Sequence, residues 1–188
     1  MLNAPDRAGS MLTANDATDS DAGPQTLSNV AALPMLELNM SVELASAAEK
    51  VWDVTGNFNG LPDWHPWVES SVLEAAGGGV GRRVTNAGGS AGRRELTERL
   101  VFFDAAGREY AYTIIAGPAP FVDYVGRFRV VPNGSNRCTF HFTGRFRAAP
   151  GKTDAEAMER IRTFYEAGLG NLLRMFGEAG TGGVRMGR

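Results

Sequence analysis

The chain has 188 residues, a formal net charge of −2 and a single cysteine, Cys138. That length supports one domain with a sizeable core. The near-balanced charge gives no bulk attraction to nucleic acid or an anionic membrane, and one cysteine excludes an intrachain disulfide. The cysteine and the two histidines lack metal-ligand spacing, so no metal and no cofactor are expected. No run approaches the roughly eighteen apolar residues of a membrane span.

Residues 1–33 are rich in Asp, Asn, Ser, Thr, Ala and Pro without periodicity, and read as a disordered leader. Arg7 is their only cation and no apolar run of signal-peptide type follows, so a cytoplasmic location is expected. The folded domain is expected over 34–177, with a flexible Gly-rich tail over 178–188.

Leu36 to Leu44 alternates apolar and polar, the pattern of a half-buried strand. Ser46 with Glu49 reads as a capping box opening a short helix, in which Val51, Trp52 and Thr55 share a face before Gly56 stops it. Asn57 to Pro66 is dense in turn formers, with a brief helical turn near Gly60. From Trp67 the strands come at hairpin spacing: about 67–75, 80–87, 92–103, 108–116, 122–132 and 137–147. Gly77-Gly78-Gly79, Asn86 to Gly92, Ala106-Gly107, Gly117-Pro118-Ala119-Pro120 and Asn133-Gly134 separate them, so the seven-stranded sheet is antiparallel. None of these turns ends in Gly-Lys-Ser/Thr or leads into a helix, so none is a phosphate loop.

The last element is the longest. Thr153 and Glu156 form a second capping box, and Met158, Ile161, Tyr165, Leu169, Leu172 and Phe176 recur every three or four residues until Gly177. Glu156 with Arg160 and Glu159 with Arg162 read as ion pairs on the opposite side. Gly168 and Gly170 each cost about 1 kcal/mol relative to Ala inside a helix. Close packing or a hinge over a cavity would account for them.

Alternation places Leu96, Glu98, Leu100 and Phe102 on one face, together with Tyr110, Tyr112 and Ile114, then Tyr124, Phe128 and Val130, then Phe140, Phe142 and Phe146. Arg99, Arg127, Arg129, His141, Thr143, Arg145 and Arg147 take the other, solvated face. One apolar sheet face closed by one long helix is an α+β half-barrel around that helix. Glu98 on the inner face is costly unless partnered. Arg94, four residues earlier, and the tyrosine hydroxyls are candidate partners, or all of them line a wet small-molecule pocket.

The run Ser46-Ala47-Ala48-Glu49-Lys50-Val51-Trp52, the Trp64-His65-Pro66-Trp67 segment, Gly81 to Val84, Thr97-Glu98-Arg99-Leu100 with Asp104, and Arg108-Glu109-Tyr110 resemble the polyketide cyclase/dehydrase branch of the START-like, Bet v 1-like (SRPBCC) superfamily over about residues 36–176. The resemblance implies a helix-grip fold: a seven-stranded antiparallel sheet around the C-terminal helix, two short helices after strand 1, and a large cavity for hydrophobic ligands. Members include lipid carriers, plant hormone receptors, aromatase/cyclases and Pictet-Spengler enzymes, so the fold leaves function open. In the abscisic acid receptors, Thr-Glu-Arg-Leu puts its Glu in the ligand cavity, here Glu98. The Lys that meets their ligand carboxylate aligns approximately with His65, and their gate loop with the unrelated Asn86 to Gly92.

The expected function is binding of a hydrophobic, aromatic, polyketide-like or lipid-like small molecule. Its candidate contacts are His65, Trp67, Arg94 and Glu98, the inner-face residues Tyr110, Tyr112, Phe121, Tyr124, Phe128 and Phe142, and Tyr165 and Leu169 of the helix. The alternative is a cyclase, dehydratase or other carbon–carbon bond-forming enzyme with Glu98 as acid/base and Tyr112 or His65 orienting a carbonyl. A third reading is a protein-interaction module of the kind seen in chaperone ATPase activators. Nothing in the sequence sets the oligomeric state.

Overall fold

The computed structural model describes residues 35–86, 93–177 and 184–187. The expected leader, most of the Asn86 to Gly92 turn and the first part of the expected tail lie outside those residues. Strand β1 (Leu36–Leu44) realises the first alternation, with Leu38, Met40, Val42 and Leu44 buried. Two short helices follow, α1 (Ala48–Thr55) and α2 (Leu61–Trp64). Then come β2 (Val68–Ala76), β3 (Gly79–Asn86), β4 (Arg94–Asp104), β5 (Glu109–Ala116), β6 (Phe121–Pro132) and β7 (Cys138–Ala148), and after them helix α3 (Asp154–Phe176).

The sheet order is β2-β3-β4-β5-β6-β7-β1-β8, antiparallel at every pairing. It has eight strands where seven were expected. The eighth, β8 (Val184–Met186), comes from the expected tail and pairs with Met40 to Val42 of β1. Three residues are too short to carry a readable alternation.

Helix α3 begins as its sequence dictates. Thr153 Oγ1 accepts from the Glu156 N–H, and Glu156 Oε2 accepts from the Thr153 N–H. Ala157, Ile161, Tyr165, Gly168, Leu169 and Leu172 form its buried stripe, packed chiefly against β1 and β7. Gly168 is explained by close packing, since a Cβ there would lie 2.8 Å from His65 Cδ2 and 3.1 Å from Trp64 Cζ3. A Cβ on Gly170 would meet nothing within 4 Å.

Two local expectations need correction. The Ser46 capping box does not form, because α1 starts later, with Ala47 at its N-cap and no side-chain cap. Glu49 instead accepts from Arg108 of the β4–β5 turn. Phe102 is 44% exposed rather than inward. A register shift between Leu100 and Phe102 switches the face of the strand, so Phe102 lies under the outward Arg127 guanidinium, 5.7 Å from its ring centroid.

Candidate functional site

The inner faces of β3, β4 and β5 diverge from the first half of α3 and leave a cleft. Val84 and Asn86 of β3, Arg94, Leu96 and Glu98 of β4, and Tyr112 and Ile114 of β5 line one side. Pro118, Ala119 and Pro120 lead into Phe121 and Tyr124 of β6, and Arg160, Ile161 and Phe164 of α3 close the other side. The volume open to the centres of water molecules is about 40 Å³, room for about three waters. The resemblance implied a large cavity, but aromatic packing fills most of the interior. Phe142 stacks on Tyr165 with ring centroids 3.3 Å apart, and Phe128 meets Phe142 at 4.1 Å.

At the closed end, Glu98 is 4% exposed and its partner is Arg82, whose Nε donates to Oε2 at 2.7 Å. Of the expected partners, Arg94 is four residues along the same strand, a separation of about 13 Å at 3.3 Å per residue, and the tyrosine hydroxyls of Tyr112 and Tyr124 bond to other tyrosines. Register instead puts Arg82 directly opposite Glu98 on the neighbouring strand. Arg82 is fully buried, its Nη1 donates to the Phe58 carbonyl, and its guanidinium lies 4.2 Å from the Phe58 ring centroid. Burial lifts the Glu98 carboxyl above its ordinary value, with the Arg82 charge and hydrogen bond opposing that rise. Arg82 was not identified from sequence. The available signal was parity with Val84, which puts it on the inner face once β3 is paired with β4.

Beside this pair runs a hydroxyl chain. Tyr112 and Tyr124 are hydrogen-bonded at 3.1 Å, and Tyr124 and Tyr165 at 2.8 Å. Burial pushes all three phenols well above the ordinary tyrosine range, so the chain is neutral. Gly126 and Gly144, directly opposed across β6 and β7, make room for it. A Cβ on Gly126 would lie 2.6 Å from the Tyr124 hydroxyl, and one on Gly144 would overlap that of Tyr165.

His65 is 1% exposed and lies outside the cleft lining. Its ring stacks on Phe164 at 3.8 Å, and Nε2 lies 3.0 Å from the Phe164 carbonyl. Nδ1 accepts from the Trp67 N–H at 3.2 Å, so Nε2 carries the proton and donates. Burial holds the imidazole at a pKa of about 4, below its ordinary value, with the carbonyl bond opposing the shift. The ring joins the α2–β2 turn to α3 as a neutral pin and does not face the cleft.

Of the residues singled out from sequence, Arg94, Glu98, Tyr112, Phe121 and Tyr124 meet in the cleft. Tyr110, Phe128, Phe142, Tyr165 and Leu169 are buried in the packed interior behind it. Trp67 sits at the rim, 37% exposed, with the Arg160 guanidinium 5.9 Å from its ring centroid. Arg160 itself was expected to pair with Glu156 on the outer side of α3. Glu156 instead meets Thr153 and Lys152, while Arg160 turns into the cleft. Phe164, absent from the apolar stripe read from sequence, lines the cleft as well.

No curated protein matches the sequence. Among solved structures, the protein XoxI from Bacillus cereus shares 32% identity at a TM-score of 0.67, over 74% of this chain and 94% of its own. The ZhuI aromatase/cyclase from Streptomyces sp. R1128 shares 24% identity at a TM-score of 0.62, over 76% of this chain and 93% of its own. Norcoclaurine synthase from Thalictrum flavum, at 20% identity and a TM-score of 0.54 over 76% of this chain and 97% of its own, shares the fold alone. The model of the family described as polyketide cyclase / dehydrase and lipid transport matches residues 35–176, which span the sheet from β1 to β7 and the whole of α3, and the chain belongs to that family.

Proposed function

We propose that the protein binds a hydrophobic small molecule in the cleft between β3–β5 and the first half of α3. The observation that carries this reading is the contrast within one interior. The half behind β6 and β7 is filled by stacked aromatics, whereas the other half pairs apolar walls with a few polar groups around open space. A drug-sized guest needs several hundred Å³, so entry requires the cleft to widen. Pro118, Ala119 and Pro120 border it, Pro118 exposed and the other two half-buried, and have little packing to lose.

The test is native mass spectrometry of protein purified from its own host, beside the cleft-filling variant Leu96→Trp. A co-purifying small molecule is expected in the natural protein and its loss in the variant, with the melting transition retained. A guest held equally by both proteins, or none in either, refutes the reading.

A second reading is favoured by one observation: Glu98 and Tyr112, a carboxylate and a phenol on neighbouring strands, both border the cleft. In a cyclase or dehydratase, Glu98 would move the proton and the Tyr112 hydroxyl would hold a carbonyl oxygen. Glu98→Gln would then abolish turnover of a bound polyketide-like substrate. In a carrier the same change lowers stability and shifts affinity, with no turnover to lose.

A further inference from the structure

The cleft holds more positive charge than its own groups neutralise. Glu98, the single carboxylate of its lining, is engaged by Arg82. Arg94 and Arg160 also line it, and among the described residues neither has a carboxylate within 4 Å. Four arginines of the outer sheet face are provided for: Arg127 and Arg129 meet Glu109, Arg145 meets Glu37, and Arg147 meets Asp123. Arg94 and Arg160 are thus two cations of one cleft with no carboxylate beside them among the described residues.

These two cations also act on one another. The pKa of Arg160 is lowered, first by burial and then by the charge of Arg94. Holding two like charges together in a half-buried site raises the free energy of the empty protein, and an anion between them removes that repulsion. A third group stands beside them. Asn86, directly opposite Arg94 in the β3–β4 register, is 3% exposed, and its Oδ1 is buried in the lining with no hydrogen-bond partner. A half-turn of the amide presents Nδ2 as a donor in the same place.

Building on the binding function proposed above, we infer that the guest is an amphiphilic anion whose oxyanion head group, a carboxylate or phosphate monoester, docks on Arg94, Arg160 and Asn86 while its apolar body runs along Leu96 and Ile114 toward Glu98. Guanidinium forks match the planar oxygen pairs of such head groups, and charge-assisted bonds are about twice as strong as neutral ones. The ion-paired Glu98 end disfavours a second negative charge, so the guest carries its charge at one end.

The test is calorimetric titration with three probes of one chain length: octanoate, octyl phosphate and neutral octanamide. The natural protein is expected to bind at least one anion tenfold or more tighter than the amide at low salt, with the gap shrinking as salt is raised. The preferred anion identifies the head group. The double variant Arg94→Gln/Arg160→Gln is expected to abolish the gap between the anions and the amide, whereas Arg94→Lys/Arg160→Lys retains the preference. Equal binding of anion and amide by the natural protein, or an anion preference that survives in the glutamine variant, overturns the inference and leaves the hydrophobic binding site standing. Binding of none of the three probes defeats both.

Discussion

His65 makes the acid limb of the stability curve a test of how the turn before β2 is joined to α3. The neutral imidazole donates from Nε2 to the Phe164 carbonyl and accepts at Nδ1 from the Trp67 N–H. Protonation would put a second hydrogen on Nδ1, against an N–H donor, inside a site that is 1% exposed. The folded pKa of about 4 lies below the ordinary 6.5. As pH falls through 6.5 the unfolded chain therefore takes up a proton that the folded one refuses. The stabilisation is complete above the unfolded value and lost as pH falls toward the folded one. At about 1.36 kcal/mol per unit, this group alone removes about 3 kcal/mol between pH 7 and pH 4. The measurement is urea unfolding of the natural protein and of His65→Gln at each pH unit across that range. Their difference cancels the titrations common to both. The variant starts less stable at pH 7, and the gap should narrow by about 3 kcal/mol at pH 4. A gap constant within about 0.5 kcal/mol would mean that His65 is solvated, and the pin is wrong.

The remaining predictions concern packing and the buried ion pair. Glu98→Gln strands the Arg82 charge in a fully buried position and should cost about 3–5 kcal/mol in denaturant unfolding, whereas Arg82→Met with Glu98→Leu should be neutral or stabilising; a Glu98→Gln cost below about 1 kcal/mol would show the pair to be hydrated. Gly170→Ala should stabilise by up to about 1 kcal/mol and raise the melting temperature by about 2–4 °C, because its Cβ meets open space. Gly168→Ala should lower it, because its Cβ presses on His65 and Trp64; the same sign for both would refute the packing account. Gly144→Ala should destabilise by about 1–3 kcal/mol by displacing the Tyr165 hydroxyl, and an accompanying Tyr165→Phe should recover part of that loss in the same assay.

Much of this architecture is legible because its signals are local. The Thr153–Glu156 box and the apolar spacing after it set both ends of α3, and turn chemistry placed the strand ends of β1 to β7 within two residues of those observed. What escaped is non-local. Arg82 becomes the Glu98 partner only when β3 is laid against β4, and period-two alternation within either strand cannot supply that register. Arg160 has the helical spacing of an ion pair with Glu156, yet it sits three residues after buried Ala157 and four before Phe164, on the flank of the stripe. A flank residue turns inward when space lies beneath it, and sequence does not show the space. Phe102 was misplaced by a one-residue irregularity in β4 that the alternation alone gives no reason to expect.

The unequal filling of the interior ties stability and binding to different residues. Where β6, β7 and β1 face the second half of α3, Phe128, Phe140, Phe142, Tyr165, Leu169 and Leu172 are fully buried in mutual contact, and a lost ring there leaves a void that the neighbours close only partly. Where β3, β4 and β5 face the first half, the inner positions hold Asn86, Arg94 and Glu98 between apolar side chains, groups that weaken a dry core. Glu98 sits where the two regions meet. Its bond to Arg82 fixes Phe58 and so ties the link between α1 and α2 to the sheet, while its own side chain borders the open space. Removing it should therefore disturb folding and binding together, whereas Arg94 and Arg160, half-buried at the open end and without carboxylate partners among the described residues, can be exchanged with little cost to the fold. That asymmetry follows from which charges the folded chain satisfies internally and which it leaves without an acidic partner among the described residues.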